Sequence, residues 1–140
     1  MKTNSAPVSG RFDFASTVNE SDIFVLGGEN CFPVSGSTKV FKDVWKSSDL
    51  GGILLILPCV ILFLTLSGCY SSVSWKLLTP YGAEWTARRG TSLSMFNGDL
   101  VLAGGLSYNT DDYPMYLDDV WFSTDGGNLF LSVLRRARMC

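Results

Sequence analysis

One ten-residue pattern occurs twice in the sequence, and this repeat constrains the fold more than any other feature. The two copies lie at 42–51 and 118–127, and both contain the triplet Asp-Val-Trp. An apolar quartet followed by a double glycine precedes each copy, at 23–28 and 100–105, with an offset of 77 residues and no gap. Repetition at a fixed offset is the sequence signature of folds that stack one supersecondary unit on the next. The chain is therefore predicted to contain two diverged copies of one unit.

Each unit is predicted to contain four short β-strands. The apolar quartets at 23–26 and 100–103 are β-prone and suit a buried second strand, and Asn97-Gly98-Asp99 is a tight hairpin signal just before the later quartet. The other predicted strands lie at 12–18, 39–46 and 73–78 in the first unit and at 91–96, 116–122 and 129–134 in the second. Four antiparallel strands make one propeller blade. The predicted fold class is all-β, with antiparallel four-stranded blades of a partial β-propeller.

An apolar segment at 53–73 interrupts the first unit. No charge occurs from Leu50 through Trp75, and a helix of this length spans ~31 Å, close to the ~30 Å of a bilayer core. The segment is predicted to be helical and is a candidate transmembrane helix, which favours a membrane localisation over a cytoplasmic one. The alternatives are a buried apolar helix or strand, or an untrimmed coding insertion. A single span would place the third and fourth strands of the first unit on opposite sides of the membrane. The chain can therefore form either the span or the intact first unit, but not both. We expect the span to form in a cell.

The composition excludes several functional classes. With 11 basic and 13 acidic residues, the chain has no global charge that would attract nucleic acid. It has no histidine, the commonest general base and metal ligand. Its four cysteines form no C-x-x-C pair and are interpreted as ordinary thiols; they lie at positions 31, 59, 69 and 140. No catalytic, cofactor-binding or metal-binding residue is assigned, and no cofactor or nucleic-acid partner is predicted.

The loops after the double glycines, at 29–38 and 106–114, are predicted to lie on one face, where binding residues usually occur. The second loop contains Asp111 and Asp112, whose carboxylates either hold a cation or belong to a solvated turn. The residues at 134–140 include three arginines. These arginines are interpreted as a solvated tail, with a contact to anionic lipid or nucleic acid as the alternative.

A second motif overlaps each copy of the repeat. Joining Gly52 to Ser74 across the apolar segment gives Ser-x-Asp-x-Gly-x-x-Trp, and 123–130 repeats it with Phe130 in the Trp position. This motif resembles the Asp-box of sialidase-like propellers. The double glycine followed by Asp-Val-Trp resembles the kelch repeat of galactose-oxidase-like propellers. The resemblance covers roughly residues 11 to 130 and implies that Asp49 and Asp125 lie away from any active site.

The chemistry of the Asp-box motif is structural. Its Asp carboxylate can accept hydrogen bonds from backbone N–H groups of its own turn, and its Ser hydroxyl can brace that carboxylate. Its Gly permits a conformation that a Cβ would resist. Its aromatic residue is expected to pack over the turn and into the neighbouring unit.

Three functional hypotheses follow. The first is a non-catalytic protein-interaction module, whose partner is another protein or further propeller blades. The second is the remnant of an enzyme; a galactose-oxidase-like copper site needs histidines that are absent, and a sialidase-like site needs an arginine cluster that Arg11, Arg88 and Arg89 could supply. The third is a single-pass membrane protein defined by 53–73.

The sequence divides into five predicted parts. These are the first unit at 1–52, the apolar insertion at 53–73, the remainder of the first unit at 74–84, the second unit at 85–134 and a basic tail at 135–140. Propellers have about four to eight blades, so two units leave sheet faces without a partner. We therefore expect that the chain is not a stable monomer.

Overall fold

The structure is a computed structural model that describes residues 7–20, 22–30, 39–48 and 74–133. Within these ranges the chain is all-β and contains no helix. Its ten strands are β1 (Ala15–Asn19), β2 (Asp22–Leu26), β3 (Glu29–Asn30), β4 (Lys39–Val40), β5 (Val44–Ser47), β6 (Trp75–Leu77), β7 (Ser92–Phe96), β8 (Asp99–Tyr108), β9 (Pro114–Ser123) and β10 (Leu131–Ser132).

The strands form two antiparallel four-stranded sheets, one from each predicted unit. The first sheet has the order β1-β2-β5-β6 and the second β7-β8-β9-β10, while β3 and β4 form a separate two-stranded sheet. The predicted all-β class and the predicted antiparallel strands are confirmed. The hairpin signal is also confirmed, because Asn97 and Gly98 both adopt positive φ between the paired residues Phe96 and Asp99.

The double glycine of the first unit lies at a break in its strands. β2 ends before Gly27 and Gly28, whose φ values are 59° and 96°, whereas β8 continues through the equivalent glycines as a bulge. The predicted strand at 39–46 divides into β4 and β5. A Cβ on Gly27 would lie 2.7 Å from the backbone oxygen of Arg88. The glycine thus allows the first unit to approach the start of the second, where Gly28 N–H donates to Arg88 O at 2.9 Å.

One hydrophobic core lies between the two sheets. Its buried members come from both sheets, from the connection between the sheets and from the segment between β9 and β10. They are Phe24, Leu26, Val44, Leu78, Ala83, Trp85, Leu100, Leu102 and Phe130. Trp85 and Phe130 meet edge to face with ring centroids 6.3 Å apart, a favoured aromatic geometry. The two repeated units therefore share one core.

The apolar segment at 53–73, with its predicted helix, lies outside the described residues. The residues that the structure does describe include no helix long and apolar enough to cross a membrane. On either side of the segment β5 and β6 are paired, with Ser47 opposite Trp75 and Trp45 opposite Leu77. A single bilayer crossing would place these strands ~30 Å apart, so the described fold is the alternative with an intact first unit. Which alternative forms in a cell stays a prediction.

Candidate functional site

Arg11, the first of the three arginines named in the sequence analysis, forms contacts within its own unit. Arg11 makes a bidentate pair with Asp43, at 2.6 and 2.9 Å, and also donates to Gly27 O at 2.8 Å. Trp45 Nε1 donates to the same carboxylate at 2.8 Å. Bidentate guanidinium–carboxylate bonding fixes both groups in position, so Arg11 is occupied by a structural contact.

Arg88 repeats this arrangement in the second unit. It donates to both carboxylate oxygens of Asp119, at 2.6 and 2.8 Å, and to Gly104 O at 2.8 Å, while Trp121 Nε1 donates to Asp119 at 2.7 Å. The Arg88 side chain is 0% exposed. Its hydrogen bonds lower the pKa of Asp119 below the usual 3.8, against the opposing effect of burial. Neither Arg88 nor Arg11 is available to bind a sugar carboxylate.

The turn after β9 contains the hydrogen bonds expected from its Ser-x-Asp pattern. Ser123 Oγ donates to Asp125 Oδ1 at 2.8 Å, and the N–H groups of Asn128 and Leu129 donate to the same oxygen at 3.0 Å. Burial raises the pKa of Asp125, but these bonds outweigh it and the net pKa is lowered. Gly127 has φ of 93°, and a Cβ there would lie 3.1–3.4 Å from the side chains of Val44, Leu78 and Leu100. The turn is therefore structural; Asp49 of the first copy lies outside the described residues, as do all four cysteines.

Asp111 and Asp112 belong to an exposed turn. Asn109 Oδ1 accepts hydrogen bonds from the N–H groups of Asp111 and Tyr113, at 3.0 and 2.9 Å. Asp112 has φ of 60°, a conformation that Asp tolerates in turns. No group of three potential metal ligands occurs in the described ranges.

Arg89 differs from the other two arginines because its charge reaches the surface between the two units. Its Nε lies 2.8 Å from Glu29 Oε2, which makes an ion pair without the alignment of a hydrogen bond. Its Nη1 lies 3.5 Å from Asp13 Oδ2. Glu29 is buried and Asp13 is exposed. Both carboxylates come from the first unit, so Arg89 links the units by charge at the end where the post-glycine loops begin.

An open groove of about 520 Å³ adjoins Arg89 and is called here the Arg89 groove. Its lining residues are Asp13, Arg89, Gly90, Gly105, Leu106, Tyr116 and Leu117. The Arg89 guanidinium also lies 6.0 Å from the Phe12 ring and 5.7 Å from the Tyr108 ring, within cation–π range. The Tyr116 side chain at its edge is 82% exposed. The groove therefore combines a charge with aromatic surface and lacks a histidine or thiol nucleophile.

A second cavity, of about 420 Å³, lies at the opposite end of the sheets, beside the turn after β9. It is lined by Lys46, Ser48, Ser74, Trp75, Lys76, Leu78, Asp125, Gly126 and Asn128. Lys46 is already paired with Asp22 at 2.6 Å. With its carboxylate and one of its lysines committed to structural contacts, this cavity is the weaker candidate.

Comparison with known proteins adds a fold and no function. No family model matches the sequence, and no curated protein matches it. The chain is similar to the solved structure of YjhT. The identity is 14% and the TM-score 0.56, over 94% of this chain and 28% of the YjhT chain. The chain thus spans little more than a quarter of YjhT, and the likeness concerns the fold alone.

The sequence contains a signal for the Arg89 groove at positions where the two units differ. Arg89 occupies the position that Phe12 holds in the first unit, and Glu29 occupies the position that Leu106 holds in the second. The backbone contacts at these positions are equivalent, since Phe12 bridges to Glu29 and Arg89 bridges to Leu106. The backbone is the same at these positions but the side chains differ. The surface that Arg89 and Glu29 form therefore has no equivalent elsewhere in the repeat.

Proposed function

We propose that the chain is a pair of blades of a kelch-like β-propeller and acts as a non-catalytic protein-interaction module. Two repeated four-stranded antiparallel sheets with a common core support the blade assignment. The partner would be another protein or further blades.

The Arg89 groove and the hairpin beside it carry the proposal. β8 and β9 are ten residues each, whereas β2 has five, and beyond the Gly104–Gly105 bulge they pair as far as Tyr108 and Pro114. Near the end of this hairpin Tyr113 and Tyr116 are both exposed. Tyr and Arg are enriched among the residues that dominate protein interfaces, so the hairpin and Arg89 form a surface suited to a protein partner.

No specific observation favours the enzyme-remnant hypothesis over this one. A sialidase-like site needs an arginine cluster with a nucleophile and an acid, but Arg11 and Arg88 are bound by Asp43 and Asp119. The carboxylates next to Arg89, those of Glu29 and Asp13, are themselves ion-paired with it.

The Tyr116→Ala variant is expected to lose its protein partners. Loss of an interface hot spot costs roughly 2 kcal/mol or more, about a 30-fold loss of affinity. Proteins cross-linked to the tagged full-length chain in cells should therefore fall to the background of a tag-only control. The matched control is Tyr81→Ala, since Tyr81 is 97% exposed in the turn after β6. Equal capture by both variants and the wild-type chain, or no capture above background by the wild type, would refute the proposal.

A further inference from the structure

The two sheets bury opposite faces of equivalent strands. In β2 the buried apolar residues are Phe24 and Leu26, whereas in β8 they are Leu100 and Leu102. In the repeat, Phe24 is equivalent to Val101, and Leu100 is equivalent to Ile23. Because successive strand residues point to opposite faces, the first sheet uses one face of the unit and the second sheet uses the other.

Cross-strand neighbours define the two faces, since residues directly opposite one another in an antiparallel pair share a face. The forward face comprises Phe24, Leu26 and Val44 in the first sheet and Val101, Ala103 and Val120 in the second. The rear face comprises Ile23, Val25 and Trp45 in the first sheet and Leu100, Leu102 and Trp121 in the second.

The contact within the molecule joins a forward face to a rear face. Val44, on the forward face of the first sheet, and Leu100, on the rear face of the second, belong to one core. Methyl groups of both lie within 3.4 Å of where a Cβ on Gly127 would be. Trp121 and Met95, also on the second rear face, pack against the same core. Two repeated units that meet through different faces make a head-to-tail contact, which can be repeated by further units.

This contact leaves two faces that no other described residues cover, namely the forward face of the second sheet and the rear face of the first sheet. On the second forward face Val101, Ala103 and Val120 are only half-buried, and Phe96 is 67% exposed. On the first rear face Ile23, Val25 and Trp45 are half-buried and Val18 is 57% exposed. None of these side chains belongs to the core cluster that the described residues form.

We propose that a second copy of this chain covers these faces, with the rear face of its first sheet docked on the forward face of the second sheet. The proposal rests on the blade assignment made above, and it extends a contact that the two units already make. Asp99 lies opposite Phe96 at one end of the second forward face. The apolar residues named above occupy the rest of the two open faces, which suits the desolvated centre of an interface with a charge at its rim. Two to four copies joined in this way would supply the roughly four to eight blades of a closed ring.

Two substitutions separate the open faces. Val101→Lys places a charge on the second forward face, and Val18→Lys places one on the first rear face, opposite Ile23. Two differently tagged copies of the full-length chain are co-expressed and one tag is captured. Wild-type copies should capture each other, whereas two Val101→Lys copies, or two Val18→Lys copies, should do so at least ~10-fold less, because a ~1.4 kcal/mol penalty already gives that factor.

The decisive arm combines one copy of each variant. Val101→Lys keeps an intact first rear face, and Val18→Lys keeps an intact second forward face, so the mixed pair retains one undamaged contact and should recover capture. Recovery also shows that both variants fold. Ser94→Lys repeats the forward-face test at an exposed residue paired with Val101, and Thr110→Lys in the exposed β8–β9 turn is the control that should capture like the wild type.

Each other outcome overturns the inference. Absence of capture between wild-type copies assigns the faces to another occupant, such as the segment at 53–73 or an unrelated protein. Undiminished capture between identical variants places self-association on a different surface, and a mixed pair that fails to recover excludes head-to-tail docking. None of these results depends on Tyr116. The outcome of the Tyr116→Ala test, which concerns the proposed protein-interaction function, can therefore be distinguished from the outcome of this one.

Discussion

The Asp119→Ala variant is expected to lose about 3 kcal/mol of its free energy of unfolding. Removal of one partner from a buried ion pair typically costs roughly 3–5 kcal/mol, because the other charge stays buried. Here that charge is Arg88, whose side chain is 0% exposed, while Asp119 is 29% exposed. The partial exposure of Asp119 places the expected loss at the lower end of the range. Trp121 also loses its acceptor.

Urea unfolding followed by tryptophan fluorescence measures this loss, with Asp111→Ala in the exposed turn as a control expected to change stability by no more than about 0.5 kcal/mol. The pKa of Asp119 is lowered in the folded state, so its contribution is present above the ordinary pKa of 3.8 and disappears as pH falls through the lowered value. The wild type and Asp119→Ala should therefore converge in stability at strongly acidic pH. A difference below 1 kcal/mol at neutral pH would contradict a structural role for the pair.

The Gly27→Ala variant is expected to lose roughly 2–5 kcal/mol of stability. A left-handed backbone costs a non-glycine residue about 1–2 kcal/mol, and overpacking adds about 1–3 kcal/mol. The second term applies because the new methyl would lie 2.7 Å from Arg88 O, a backbone atom that cannot rotate away.

Gly90→Ala is the matched control for this variant. Gly90 has the same φ of 59° as Gly27, but a Cβ there would meet nothing within 4 Å, so only the backbone term of about 1–2 kcal/mol applies. Thermal unfolding of both variants isolates the close approach between the units. Equal destabilisation of the two variants would show that a glycine is needed at position 27 for its φ alone. The close approach of the two units at Gly27 and Arg88 would then be contradicted.

The repeat allowed much of the fold to be predicted because its constraints are local. Short apolar quartets, a two-residue Asn97-Gly98 turn and glycines at strand ends each act over a few residues. The contact between units was less accessible. The sequence around Phe24 and Leu100 does not indicate that equivalent strands bury opposite faces, because both quartets are apolar throughout. Which face is buried is determined only by how the two sheets pack.

The candidate site was predicted poorly for a physical reason. Arg11, Arg88 and Arg89 have the same side chain, and the sequence did not show that two of them are consumed by carboxylates of their own units. Asp43 and Asp119 lie 32 and 31 residues from their arginines, so the pairing depends on how each sheet folds. Likewise, Glu29 meets Arg89 only because the units pack together. Such contacts are set by tertiary structure rather than by spacing.

The forward-to-rear packing of the two units is tested most directly by methyl NOEs in the full-length, methyl-labelled chain. The account predicts an NOE between Val44 and Leu100, whose methyl groups both border Gly127, and none between Val44 and Val101. A NOE from Val44 to Val101 without one to Leu100 would mean that the second sheet presents its other face to the first, and the head-to-tail arrangement would be contradicted.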